Sequence, residues 1–156
     1  MLMISKSLKA IAGFVAIVSM VFAMGAAYAG SEAGLVKDTK GTVTIERGDK
    51  KFAAKSGSSL LVSDIVVTGA DSTVGITLHD GTLLSAGPNS TLTLNKFAFD
   101  TTTQKGALDA SLKRGTLAVV SGKLSKTSSA AVTYRTPSSI LGVRGTEFVL
   151  EAGGEN

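Results

Sequence analysis

His79 is the single histidine of the chain, and there is no cysteine. A zinc site takes three or four nitrogen, sulfur or carboxylate ligands. One histidine beside Asp80 on a short polar turn does not assemble such a set, and His79 reads as a turn-edge residue. A thiol nucleophile is ruled out. A Ser-His-Asp arrangement would have to use His79, and no G-x-S-x-G elbow presents a serine to it. The glycines spell neither a phosphate loop nor a dinucleotide fingerprint. The expectation is a protein that is not an enzyme and that uses no cofactor or metal.

The arginines offer binding chemistry instead. In the stretch from Thr136 to Leu150, Arg144 stands between Gly142 and Gly145, after Pro137 and before an apolar run. Pro137 fixes its own φ and pushes Thr136 to an extended conformation, so a strand junction is expected there. Glycines on both sides permit a close backbone approach or a positive φ. We therefore expect the Arg144 guanidinium to be buried and paired with a carboxylate, Asp64 first and Asp71 second. The alternative is that its planar fork binds an external carboxylate or phosphate. Arg47-Gly48-Asp49 is an RGD tripeptide, which reads either as an adhesion motif or as a plain hairpin turn. Asn89-Ser90-Thr91 fits the N-glycosylation pattern and equally fits a turn after Pro88.

These side chains must be positioned by strands. Val43 and Ile45 alternate with polar residues, and Phe52 to Ala54 form the return strand of a turn at Arg47–Lys50. Leu60 to Val62 and the β-branched Ile65-Val66-Val67-Thr68 follow. Val74, Ile76 and Leu78 alternate up to His79-Asp80-Gly81-Thr82, where Asp-Gly predicts a type I′ hairpin turn. Leu92 and Leu94, then Phe97 and Phe99, continue the pattern. Leu108, Ala110 and Leu112 alternate before Lys113-Arg114-Gly115, and Leu117 to Val120 is a continuous apolar strand. Gly122 to Ser129 is expected as a polar loop, and Ser31 to Asp38 as a leader without periodicity. No helical period is visible after Gly30. Many short strands with frequent turn signals predict an all-β domain, a β-sandwich or short β-roll, without a strict sequence repeat.

Lys6 and Lys9 precede an uncharged run from Ala10 to Ala29 that ends in Ala27-Tyr28-Ala29, the pattern of a signal peptide with cleavage before Gly30. An uncleaved segment would be long enough to anchor the domain in a membrane. Either way the domain is expected outside the cytoplasm, periplasmic or secreted. The chain has 16 basic and 12 acidic residues. Two of the basic ones belong to the export segment, and the rest alternate in sign with the acids. That is a solvated surface without a nucleic-acid footprint. Without cysteine, disulfides cannot contribute, although the compartment would permit them.

Several short pieces, in order, resemble the FecR-type periplasmic domain. They are Gly41 to Ile45, Asp64 to Ser72, Leu78 to Thr82, Pro88 to Leu92, Lys113 to Leu117, and Thr136-Pro137 through Gly142-Val143-Arg144-Gly145-Thr146-Glu147-Phe148. The resemblance spans roughly residues 35 to 151. With the signal peptide at 1–29, this leaves a leader at 30–34 before the domain and a tail at 152–156 after it. The resemblance marks Asp64, Asp71, Asp80, Gly81, Pro137, Gly142, Arg144, Gly145 and Thr146 as structural motif residues and assigns no binding residue. Ser63 stands where the pattern usually has glycine, so that turn is expected to be built differently.

The resemblance implies a domain that works by binding an envelope protein or small envelope ligand. Full-length regulators of this type carry an anti-sigma segment before a membrane helix and a receptor-interacting domain after the β domain. Few residues lie before the apolar run or after Leu150, so a stand-alone exported sensing or interaction module is expected. The competing reading is a secreted structural, adhesive or glycan-binding protein. It is weakened by the scarcity of aromatic platforms: Tyr134, Phe52, Phe97, Phe99 and Phe148, and no tryptophan.

Overall fold

A computed structural model describes residues 31–153; the segment expected to direct export lies outside them. Twelve strands follow one another: β1 (Glu32–Lys40), β2 (Val43–Arg47), β3 (Lys50–Ala53), β4 (Ser59–Leu61), β5 (Ile65–Thr68), β6 (Thr73–Leu78), β7 (Leu83–Ala86), β8 (Thr91–Phe99), β9 (Gly106–Val120), β10 (Val132–Thr136), β11 (Ser139–Gly142) and β12 (Glu147–Ala152). They form one sheet curled on itself. One half runs β4-β1-β6-β7-β9-β12, the other β3-β2-β5-β8-β9-β10-β11. The two halves share β9, whose first part pairs with β8 and whose last part pairs with β7 and β12. All pairings are antiparallel except β9 with β10.

The inner faces supply a single apolar core. Val74, Ile76, Leu78, Leu84, Leu117 and Val119 come from one half, and Ile45, Val66, Leu92, Leu108, Leu112 and Tyr134 from the other. The alternation seen in the sequence is the pleat of half-buried strands. A phase change from Leu92 and Leu94 to Phe97 falls where the β8–β9 register shifts between Leu94 and Lys96. A bulge there puts an extra residue into β8 and turns Phe97 back to the inside.

Two copies of one hydrogen-bonded unit tie four of the crossings between the halves. Thr42 N donates to Ser72 Oγ at 2.8 Å while Gly69 N donates to the Thr42 carbonyl at 2.9 Å. In the second copy Thr116 N donates to Ser90 Oγ at 3.0 Å while Gly87 N donates to the Thr116 carbonyl at 3.0 Å. Each unit joins a Gly-Thr step with positive glycine φ, at Gly41 and Gly115, to a turn with positive φ at Asp71 or Asn89. The sequence contains no strict repeat because only these few positions recur: G-T in one arm, and G-x-[DN]-S in the other. Ser72 and Ser90 are fully buried, so each hydroxyl must find partners within the protein.

Five expectations are corrected. Ser31 to Asp38 is no leader, since β1 fills it and pairs with β4 and β6. A register shift between Val36 and Asp38 breaks its period of two, which hid the strand. The loop at 122–129 contains a short helix α1, Lys123–Thr127, followed by a 3-10 turn at Ser129–Ala131. Five residues are too few to display helical periodicity. At Asp80-Gly81 only Gly81 has positive φ, with Gly81 N bonded to the Leu78 carbonyl and Leu78 N to the Thr82 carbonyl. That is a three-residue loop with a glycine bulge, not a type I′ turn. Ser63 adopts φ 74°, the conformation that a glycine would supply, so the turn keeps its shape despite the substitution. Ala152, placed in the tail, is the buried last residue of β12.

Tyr134 carries a pH prediction. Burial, and secondarily the charge of Asp80, push its phenol above the usual tyrosine range. Below pH about 10 the phenol is neutral in both folded and unfolded chains, and stability is unaffected. Above that pH the unfolded chain ionises and the folded one resists. Stability should then fall by up to about 1.4 kcal/mol per pH unit until the folded phenol itself titrates. Urea unfolding at successive alkaline pH values measures this, and Tyr134→Phe should flatten the decline.

Candidate functional site

Asp64 and Arg144, expected to pair, are separated in use. Asp64 is buried, at 1% exposure, and its partner is Arg47. Arg47 Nε donates to Asp64 Oδ1 at 2.8 Å, and the terminal nitrogen Nη2 donates to Oδ2 at 2.7 Å and to the Ser59 carbonyl at 3.0 Å. Leu61 N also donates to Oδ2, at 2.8 Å. The Arg47 guanidinium lies 5.0 Å from the Phe52 ring centre and is held above the usual arginine range, mainly by the Asp64 hydrogen bond. The arginine of the RGD tripeptide is therefore engaged in structure, which removes the basis for an adhesion reading. Asp71 is exposed and serves its turn through its positive φ.

Asp80 is the second buried carboxylate. It accepts from Thr82 N at 3.0 Å, Thr82 Oγ1 at 2.8 Å and Leu124 N at 3.3 Å, joining the β6–β7 turn to α1. These contacts make Asp80 and Gly81 a structural corner. His79, next to it, is exposed, with Nε2 3.4 Å from Glu32 Oε1. Among the described residues no group of three or more His, Cys, Asp or Glu could hold a metal ion.

Arg144 is exposed and makes no ion pair among the described residues. The inference from its flanking glycines was wrong for a physical reason. A Cβ at Gly142 would meet nothing within 4 Å, and one at Gly145 only Lys126 Cγ at 3.8 Å. Gly145 is required for its φ of 66°, not for close packing. The loop is nevertheless fixed: Val143 is buried on one side, and the Thr146 carbonyl accepts from Ser121 Oγ at 2.6 Å on the other. A fixed loop thus holds a guanidinium that has no ion-pair partner among the described residues, with exposed Lys126 against the same turn.

The strand leading into that loop is the other exposed feature. β11 pairs only with β10, so its far edge is open among the described residues. Pro137 and Ser138 turn the chain between the two strands with no positive φ. All four β11 residues are exposed, Ile140 at 68%. Unpaired strand edges are templates for another chain and are usually protected by lysine, proline or a bulge. β11 carries none of these. The sequence signal was two consecutive apolar residues, Ile140-Leu141, where a half-buried strand would have alternated.

The described residues thus form an all-β domain with an open apolar strand edge beside an arginine in solvent. Residues 64–156 match the model of the FecR family, described as FecR protein, over more than half of the chain, and the chain belongs to that family. β1 to β4 precede the matched stretch but complete the same sheet. No curated protein and no solved structure matches the chain. No helix among the described residues is long and apolar enough to cross a membrane.

Proposed function

We propose that the protein is a non-catalytic sensing or interaction module of the cell envelope, exported through its N-terminal segment. Its contact surface is β11 together with the Arg144 loop. The partner is an extended segment of an envelope protein that adds to the β11 edge and places an acidic side chain on Arg144. Main-chain hydrogen bonds along an added strand supply affinity, and the side chains beside it supply selectivity. The observation that carries this reading is the juxtaposition of a wholly exposed edge strand with a guanidinium on a fixed loop that has no ion-pair partner among the described residues. Membership of a family named for a regulator agrees with it.

The test is capture from envelope fractions by the wild-type protein, Arg144→Ala and Ile140→Glu. Each variant should lose about tenfold or more of the captured partner, the size expected for a central contact residue. Melting should be unchanged, and amide exchange across 139–142 should slow in the complex. Equal capture by all three proteins would exclude this surface.

A further inference from the structure

The two outer faces of the curled sheet differ in chemistry. On the half containing β2, β5 and β8, solvent meets ion pairs. Lys51 Nζ lies 3.0 Å from Glu46, and Arg135 clamps Asp109, which also accepts from Asn95. On the other half, β6, β7 and β9 turn no charge outward. Gly75, Ser85 and Ala118 form one cross-strand row, and Thr77, Leu83 and Val120 the next. The first row ends on Val149 of β12, which is 69% exposed. Its floor of small residues makes a shallow depression of about 440 Å³. A solvated sheet face ordinarily carries polar side chains in alternation with the core. Here the outward positions of three adjacent strands hold only glycine, alanine, serine, threonine, leucine and valine, with no charged side chain.

Charge returns only on the flanking strands. β1 carries Lys40 opposite Thr73 and Asp38 opposite Gly75, and β12 carries Glu151 opposite Thr116 and Glu147 opposite Val120. Lys40 and Glu151 thus stand at the same level on opposite sides of the uncharged rows.

We propose that this face is an interface between two copies of the chain, related by a twofold axis running along β7. Such an axis lays β1 of each copy over β12 of the other, so Lys40 meets Glu151 twice. Ser85 and Leu83 lie on the axis and meet their own equivalents, and Gly75 meets Ala118. Asp38, whose carboxylate already covers Gly75, comes over Val149, and Glu147 comes over Leu35, so neither meets another carboxylate. An isologous contact of this kind closes on itself as a dimer. The strands of the two faces run nearly aligned, as in sheet-on-sheet packing. Five strands with three outward rows give a footprint of roughly 24 by 20 Å, about 500 Å² per copy. The total, about 1,000 Å², is at the lower end for a specific interface and implies a reversible dimer. This inference uses a different face from β11 and stands apart from the proposed function.

Sedimentation equilibrium on the full-length chain tests it. A concentration-dependent dimer is expected. Ala118→Arg should abolish it without changing the melting temperature. Lys40→Glu should weaken it about tenfold, through two lost pairs and two new repulsions. The double variant Lys40→Glu/Glu151→Lys should restore it. The chain has no cysteine, so the Ser85→Cys variant should be joined across the axis by a short bis-maleimide, while Lys51→Cys on the other face should not. A monomer up to millimolar concentration, or a dimer that Ala118→Arg leaves intact, would overturn the proposal. So would binding of another protein or of lipid vesicles to this face without a dimer.

Discussion

Alanine at Arg47 is expected to cost about 3 kcal/mol of folding stability, the scale for breaking one side of a buried ion pair. Asp64 would remain in its buried position with one donor, Leu61 N, in place of three. The Ser59 carbonyl would lose its partner as well, and Phe52 its cation. A single guanidinium therefore ties the β2–β3 hairpin to β4 and to the start of β5. Arg47→Lys should recover little, because an ammonium cannot reach both carboxylate oxygens and a carbonyl in one plane. Arg144→Ala should change stability by no more than about 0.5 kcal/mol, as for an exposed side chain without partners. Urea denaturation of the three variants measures the contrast. Equal losses at positions 47 and 144 would refute the assignment of the ion pair.

Gly115→Ala should be more damaging still, about 4 kcal/mol or enough to prevent folding. Two effects combine. The residue has φ 95°, a conformation that costs a residue with a Cβ about 1–3 kcal/mol. Its Cβ would also fall 2.1 Å from Ser90 Oγ and 2.5 Å from Ser90 Cα. The second contact is backbone, so no rotamer change relieves it, and Ser90→Gly should rescue only in part. The clash lies where β9 passes from one half of the sheet to the other, and it would break the Thr116–Ser90 bond that holds the crossing. Gly142→Ala is the control: its Cβ would point into open space, and no positive φ is required there. Thermal unfolding should show a large loss at 115 and almost none at 142. A stable, cooperatively folded Gly115→Ala protein would show that the crossing does not depend on this geometry.

The all-β class was legible because alternation is a local property. Val74, Ile76 and Leu78, or Leu108, Ala110 and Leu112, state within six residues that one side is wet and the other dry. The Asp80-Gly81 reversal was legible for the same reason. β1 was not, because its register shift between Val36 and Asp38 breaks the alternation that would have revealed it. The position of α1 was equally hidden, since it is held by Asp80, 44 residues before Leu124.

Side-chain partnership was decided only by tertiary structure. A buried aspartate was expected to need an arginine, and it has one. Which arginine depends on sheet order: β2 lies beside β5, which brings Arg47 to Asp64, whereas Arg144 follows the edge strand β11. The glycines around Arg144 illustrate the same limit. Glycine satisfies a demand for close approach and a demand for positive φ equally well, and nothing in the sequence separates the two. The sequence by itself determined the all-β class, most of the strands and the need for a buried charge to be paired. The folded sheet decided which charge is paired, which arginine is left in solvent, and which apolar residues remain outside the core, because those depend on neighbours distant along the chain.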